Sequence, residues 1–284
     1  MTALKKLIVT IILCLSPIVN AEMPKAAIAS AHPLAIYAGF EILEQGGNAF
    51  DAAVAVSAAL AVVEPSGSGL GGGGFWLLHR ASDSFETMLD GREKAPLAAD
   101  KNMFLDAKGN IIKGLSRNSV LAAGIPGLPA AIVHLSEKYG RLPLSQVLQP
   151  AIRYAKQGFI IGDKHRKLLN YRLAVLQKNK AAADIFLVDN KMPKQGGVLK
   201  QTDLAATLEK IAQFGRAGFY EGGVAEKMLK AVQQAGGIWT QKDLTQYQVI
   251  EREPIKGDYK GVKVTSAALP SSGGIVLLEA LNIL

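Results

Sequence analysis

Apolar and polar positions follow one another along the chain with two periods, which separate predicted helices from predicted strands. Residues 33–47 carry apolar side chains three to four apart, and this spacing predicts a helix ended by a glycine pair. Residues 52–64 carry apolar side chains all round, so we expect a helix that is buried on nearly every side. Asp51 precedes this second helix as its predicted cap, and Pro65 follows it as its predicted stop.

Two short apolar segments that follow a run of glycines have strand character. We predict that residues 75–80 and 85–90 form an antiparallel hairpin, because the short turn ASDS joins them. Strand character returns in residues 254–270, with a turn near Asp258.

Helical spacing dominates the middle of the chain. It recurs in five segments, residues 127–140, 144–158, 163–178, 202–215 and 223–237. Thr240 with Asp243 three residues later is typical of a helix start. No internal repeat or low-complexity linker marks a domain boundary, so we treat residues 22–284 as one segment.

The glycine run contains a formal G-x-G-x-x-G at Gly67, Gly69 and Gly72. A dinucleotide loop leads from a strand into a helix, whose N-terminus holds the pyrophosphate. Here a predicted helix enters the loop and a predicted strand leaves it, which argues against a phosphate site. The remaining interpretation is that the backbone passes close to a neighbouring strand, a helix or a ligand.

The N-terminus has the pattern of a targeting segment. Lys5 and Lys6 precede a thirteen-residue apolar run, and a small-residue cleavage site ends at Ala21. We therefore predict that residues 1–21 are a signal peptide and that the protein is periplasmic or secreted. The only cysteine, Cys14, lies inside this segment, so the mature chain would have no thiol chemistry and no disulfide.

Composition narrows the function classes. About half of the 284 residues are apolar, which is ample for a large core. The net charge of +8 is spread along the chain, and its densest cluster, residues 164–167, is interpreted as a solvated helix face rather than a nucleic-acid site. We expect no metal and no cofactor, because the four histidines are not spaced as metal pairs. Ser271 and Ser272 precede a glycine pair; a nucleophile site is one interpretation of these hydroxyls, and turn formation is the one we favour.

The segment MLDGREKAP places Arg92 among charged neighbours at the end of a predicted strand. The planar fork of an arginine suits bidentate recognition of a carboxylate. The alternative is a surface ion pair with Asp90 or Glu93. The local sequence leaves both interpretations open.

Several long motifs, taken together and in order, resemble the gamma-glutamyltransferase (glutathione hydrolase) family. They are GGNAFDAAVAVSAALAVVEP, GLGGGGFWLL, DGREKAP, GIPGLPAAI, GGIWTQKDLTQYQVIEREPIKGDYKGV and PSSGGI. The resemblance extends from about residue 27 to Leu284. It implies an α+β fold of the N-terminal-nucleophile hydrolase type, an αββα sandwich with two stacked sheets between helix layers. We expect this sandwich to be incomplete here, with open sheet edges and exposed apolar surface.

The same resemblance implies an activity. Family members are precursors that cut themselves, and the new N-terminal threonine of the small subunit attacks the gamma-glutamyl group of glutathione. An acyl-enzyme then passes that group to water, an amino acid or a peptide. In the REKAP-type motif the arginine binds the alpha-carboxylate of the glutamyl group, which assigns substrate binding to Arg92. The glycine loop would then be structural, carrying the buried helix into the hairpin.

The family's processing site finds no match in this sequence, so we assign no catalytic residue. We expect the chain to be the N-terminal part of the large subunit, inactive until it is joined by the small subunit. Two alternatives stay open: an inactive remnant or glutamyl-binding module, and an acylase of the same fold.

Overall fold

A computed structural model describes residues 26–284. The predicted signal peptide, residues 1–21, lies outside the described residues. The helices are α1 (Pro33–Glu44), α2 (Ala49–Val63), α3 (Leu115–Asn118), α4 (Leu128–Tyr139), α5 (Leu144–Val147), α6 (Gln149–Gln157), α7 (Asp163–Leu176), α8 (Lys180–Phe186), α9 (Thr202–Phe214), α10 (Ala217–Tyr220), α11 (Gly222–Gln234), α12 (Gln241–Thr245) and α13 (Gly273–Ile283). The strands are β1 (Gly74–Arg80), β2 (Phe85–Gly91), β3 (Phe159–Ile160), β4 (Val198–Leu199), β5 (Ile250–Arg252), β6 (Ile255–Tyr259) and β7 (Val262–Ser266).

Helix α2 is the centre of the core, as its apolar pattern predicts. It packs against α1, α4 and α6, and most of its residues are buried. Small side chains dominate its surface, so neighbouring helices can approach closely. The burial expected from the sequence is confirmed.

The predicted cap of α2 is wrong by three residues. Asn48 is the N-cap and accepts from the backbone N–H groups of Phe50 and Asp51. Asp51 is the third helical residue, and its carboxylate reaches back to the Asn48 N–H to complete a capping box. The fully buried Asp51 carboxylate also accepts from the backbone N–H of Arg141. Since it holds a distant turn as well, its role exceeds a local cap.

One predicted helix is two. The pattern of residues 144–158 predicts a single helix, but the structure divides it into α5 and α6 at Leu148, which ends the first helix and caps the second. Pro150 lies in the first turn of α6, where its missing N–H costs no hydrogen bond. Periodicity carries through the junction because both helices turn their apolar faces to the same core.

The β1–β2 hairpin is confirmed, and β5 extends it. Strands β1 and β2 are antiparallel, from the pair Gly74 and Gly91 to the pair Arg80 and Phe85. Strand β5 pairs with the other edge of β2, which gives the order β1-β2-β5. Strands β3–β4 and β6–β7 form two separate two-stranded ribbons. The α+β class is therefore confirmed.

The C-terminal hairpin β6–β7 and helix α13 are more exposed than the core around α2. The hairpin β6–β7 turns at the Lys260–Gly261 pair, close to the predicted position, and α13 packs on it. Val276, Leu277 and Ile283 of α13 are at least 43% exposed. Among residues 26–284, no helix is both long and apolar enough to span a bilayer.

Candidate functional site

The glycine run shapes an open cavity of about 420 Å³ between α2, β1 and the start of α4. As the sequence predicts, α2 enters this loop and β1 leaves it. The cavity wall includes Ser57, Trp76, Glu93 and Leu128, and the Trp76 indole donates to the Ser57 hydroxyl at 3.1 Å. We call this space the glycine-loop cavity.

The glycines of the run do not share one purpose. A Cβ at Gly73 would collide with the Gly91 carbonyl and approach the Arg92 Cα to 3.0 Å. A Cβ at Gly67, Gly69 or Gly71 would meet nothing within 4 Å. Close packing against a neighbouring strand, one of the interpretations from the sequence, therefore applies at Gly73, and no protein atom explains the other three glycines. Their lack of side chains keeps the cavity open instead.

Arg92 follows the last residue of β2 and turns its side chain to the surface. The side chain is 62% exposed, and its Nε lies 3.2 Å from Oε2 of Glu93, which lines the cavity. Asp90 faces elsewhere, because its Oδ2 accepts from Arg252 Nε at 2.8 Å. The ion pair that the sequence allowed is thus formed with Glu93 and not with Asp90. Among residues 26–284, Glu93 is the one polar partner of the guanidinium, and it approaches Nε, so the two terminal nitrogens are left to bind an anion.

The backbone of Arg92 is fixed although its side chain is exposed. Its N–H donates to Oδ1 of Asp90 at 3.0 Å. Its carbonyl accepts from the Tyr247 hydroxyl at 2.7 Å. Tyr247 is only 2% exposed, and burial, followed by the charges of Asp90 and Glu93, raises the pKa of its phenol. The phenol therefore stays protonated at neutral pH and keeps its donor.

Other backbone contacts join this region to α4. The Gly72 carbonyl accepts from the N–H groups of Gly127 and Leu128, both at 2.9 Å. A Cβ at Gly127 would collide with the Gly91 carbonyl and the Tyr247 hydroxyl. The glycine loop, the end of β2 and the start of α4 are therefore held together by backbone atoms.

A second polar cluster lies on the face of the sheet opposite to the Asp90–Arg252 pair. The carboxylate of Glu251 accepts from His134 Nε2 at 2.8 Å, Lys138 Nζ at 2.6 Å and the Tyr139 hydroxyl at 2.7 Å. We call these four residues the Glu251 cluster. Burial would raise the pKa of Glu251, but these three hydrogen bonds outweigh it and lower the pKa from its ordinary 4.5 to about 2.

The remaining candidates do not assemble a catalytic site. In the described ranges, no group of three or more His, Cys, Asp or Glu side chains could hold a metal ion. His79 contacts Glu86 on the hairpin surface, whereas His32 caps α1 by accepting from the Leu34 N–H. Ser271 accepts from the Gly273 N–H at the start of α13, which agrees with a turn-forming role.

A larger cavity, about 700 Å³, lies between α9 and the start of α11. Its lining shares no residue with the glycine-loop cavity and includes none of the motif residues singled out by the sequence.

Sequence reasoning missed the role of Tyr247 and the position of Glu93 in the wall of the glycine-loop cavity. Only the position of Tyr247 two residues after a short helix could have drawn attention to it, and that signal is weak.

The matches to known proteins cover nearly all of the described residues. Residues 35–284 match the family model described as Gamma-glutamyltranspeptidase. The chain is 44% identical over 258 residues to the glutathione hydrolase proenzyme of Pseudomonas sp. (strain A14), which covers 90% of this chain and 45% of that protein. The glutathione hydrolase proenzyme of Escherichia coli (strain K12) is also 44% identical over 258 residues. The chain thus spans about half the length of the curated relatives it matches.

A solved structure agrees with the sequence matches. The chain superposes on the gamma-glutamyltranspeptidase of Helicobacter pylori with a TM-score of 0.90 and 42% identity, which covers 92% of this chain and 75% of that one. An identity of 42% indicates a shared family as well as a shared fold.

Proposed function

The chain belongs to the gamma-glutamyltranspeptidase family, and from that premise we propose that it is the first part of an enzyme that acts on gamma-glutamyl compounds. In the complete enzyme, the gamma-glutamyl group of glutathione passes to water, an amino acid or a peptide. The chain corresponds to the N-terminal half of proteins named glutathione hydrolase proenzymes, which supports this assignment. The partner we propose is the small subunit of the same precursor.

One observation carries the proposal: Arg92 offers a 62%-exposed guanidinium that pairs through Nε with the cavity-wall residue Glu93, on a backbone fixed from two sides. A guanidinium donates two parallel hydrogen bonds to a carboxylate, which selects for both charge and plane. The alpha-carboxylate of a glutamyl group is such a ligand. Glu93 beside Arg92 orients the fork and offers a negative charge to the ligand's alpha-ammonium group.

The covalent step falls to the completing polypeptide. Its threonine hydroxyl attacks the gamma-carbonyl carbon, the amide C–N bond breaks, and the leaving amine takes the proton that the threonine loses through its own alpha-amine. Backbone donors stabilise the oxyanion. Arg92 contributes by orienting the glutamyl group, because fixed geometry makes the attack effectively unimolecular.

The same premise extends to the fold and to the compartment. We propose that the β1-β2-β5 sheet becomes one layer of a sandwich of two stacked sheets when the remaining polypeptide is added. Leu77 on β1 and Ile250 on β5, 44% and 39% exposed, are apolar positions available for that addition. We also propose export to the periplasm or the medium, which the N-terminal pattern supports.

Substitution of Arg92 tests the function. In the full-length gene product, Arg92→Lys keeps the charge and loses the fork, so we expect the KM for a gamma-glutamyl donor to rise about tenfold. Arg92→Ala should raise it about a hundredfold. Arg80→Lys is the matched control, because Arg80 pairs with Asp83 at the other end of the same hairpin. An unchanged KM in both Arg92 variants would refute the role.

The alternatives separate by turnover. The 284-residue chain by itself should release no glutamate from glutathione. Release by the purified chain would refute the assignment of the covalent step to the completing polypeptide. A glutamyl-binding module would bind glutathione in the full-length gene product without turnover, and an acylase would prefer another acyl group in a substrate panel. The nucleotide sequence after the Leu284 codon shows whether a threonine half follows.

A further inference from the structure

The Tyr247 hydroxyl donates a 2.7 Å hydrogen bond to the Arg92 carbonyl and so connects the C-terminal third of the chain to the proposed binding arginine. We propose that Tyr247 is a positioning residue that fixes the Arg92 backbone, and with it the guanidinium fork, for the alpha-carboxylate of the substrate. The inference rests on the proposed function and adds a residue to that site. It predicts that a hydroxyl remote from the ligand contributes to carboxylate recognition.

Arg92 needs such a support because of where it lies. Strand β2 ends at Gly91, so Arg92 has no cross-strand partner in the described sheet. Two hydrogen bonds replace that pairing, one from its N–H to Asp90 and one from Tyr247 to its carbonyl. A ligand that binds a pre-positioned fork loses less conformational entropy than a ligand that must first order it.

Tyr247 is itself held from several directions. Its ring stacks on Tyr220, with centroids 5.7 Å apart and planes 5° from parallel. Lys94 Nζ lies 5.1 Å above the ring. The Arg216 guanidinium donates to the Tyr247 carbonyl at 2.8 Å and to the two carbonyls of Leu244 and Thr245 at the end of α12. The hydroxyl therefore has a fixed position from which to hold Arg92.

Tyr220 provides the contrast that makes the inference testable. It is fully buried, and it belongs to the same stack as Tyr247. Its hydroxyl, however, donates to the Pro126 carbonyl at 2.7 Å and accepts from the Ala130 N–H at 3.2 Å. The two phenols differ in what they hold: Tyr220 fixes the start of α4, and Tyr247 fixes Arg92.

The first experiment measures the support without a ligand. Amide hydrogen exchange at Arg92 is compared in the wild-type chain, Tyr247→Phe and Tyr220→Phe, with urea midpoints recorded for each. We expect Arg92 to exchange about tenfold faster in Tyr247→Phe, because opening of the β2 end is no longer opposed by that hydrogen bond. Tyr220→Phe should leave Arg92 at the wild-type rate although its urea midpoint falls by a similar amount. Equal exchange at Arg92 in both variants would overturn the inference.

The second experiment measures the consequence in the full-length gene product, with L-glutamate and 4-aminobutyrate as competing ligands. The two probes differ by the alpha-carboxylate. Tyr247→Phe should weaken inhibition by L-glutamate about fivefold, as expected for one hydrogen bond, and leave inhibition by 4-aminobutyrate unchanged. A general distortion would weaken both ligands equally and would refute a positioning role.

Arg92→Lys separates this inference from the function on which it rests. If Arg92→Lys leaves L-glutamate inhibition unchanged, the proposed function fails. If Arg92→Lys weakens it and Tyr247→Phe behaves as Tyr220→Phe, the proposed function stands and Tyr247 is only a packing residue.

Discussion

Two polar clusters, the Asp90–Arg252 pair and the Glu251 cluster, occupy opposite faces of the same sheet. They use similar side chains for different purposes. Strand β5 pairs Glu251 with Leu89 and Arg252 with Met88, so alternation sends Glu251 and Arg252 to opposite faces. On one face Arg252 binds Asp90, which holds the Arg92 backbone. On the other face the Glu251 carboxylate takes all three of its donors from α4.

The difference lies in what each cluster leaves free. The Glu251 cluster satisfies its own charges, so it links β5 to α4 and offers nothing to a ligand. Around Arg92 the support is made through backbone atoms, which leaves the guanidinium exposed. A binding residue and a structural ion cluster are therefore distinguished by which atoms the neighbours hold, rather than by residue type.

The largest loss of stability should come from substitution of Gly73, where the glycine loop packs directly against the end of β2. Gly73→Ala should destabilise the chain by about 3 kcal/mol, because the new Cβ collides with the Gly91 carbonyl and must displace the end of β2. Gly69→Ala is the matched control; it meets nothing within 4 Å and should change stability by about 0.5 kcal/mol or less. Urea unfolding measures both. Equal destabilisation by the two alanines would show that the loop is constrained throughout.

Asp90→Ala should have the next largest effect. It removes the acceptor of both the Arg92 N–H and Arg252 Nε, and a hydrogen bond to a charged group makes the loss about 2 kcal/mol. The variant should also speed amide exchange at Arg92. If stability falls and the Arg92 amide does not respond, the carboxylate serves Arg252 alone.

Glu251→Gln should have a smaller effect, and one that depends on pH. The pKa of Glu251 is about 2 in the folded chain and 4.5 ordinarily, so its stabilisation is complete above about pH 4.5 and is lost as the pH falls through 2. At pH 6 we expect the variant to be less stable by about 1–2 kcal/mol, after allowance for solvent screening of a side chain that is 27% exposed. The gap should narrow at pH 3 and close near pH 2. A gap that does not change with pH would place the effect elsewhere than in the charge.

Tyr139→Phe should have the smallest effect of the four, about 1 kcal/mol, because it removes one of three donors to Glu251. Its affinity for L-glutamate should match that of the wild type. Altered glutamate binding would mean that the two faces of the sheet are coupled, and the comparison drawn above would fail.

Much of this architecture could be predicted from the order of residues. The buried helix over residues 49–63, the β1–β2 hairpin and the capping box at Thr240 all depend on contacts between near neighbours in sequence. Such local patterns can be recognised in the sequence without knowledge of the fold. The motif run that includes Arg92 likewise pointed to a family that the comparisons confirm.

Longer-range contacts decided the rest. Nothing near Asp51 predicts that it would hold the turn at Arg141, and nothing near Tyr247 predicts that its hydroxyl would reach Arg92, 155 residues away along the chain. The glycine run has one composition, yet only packing against Gly91 separates Gly73 from Gly69. Periodicity fixes which side of an element is apolar. Which partner meets that side, and which backbone atom a buried hydroxyl finds there, depends on the packing of elements far apart in sequence.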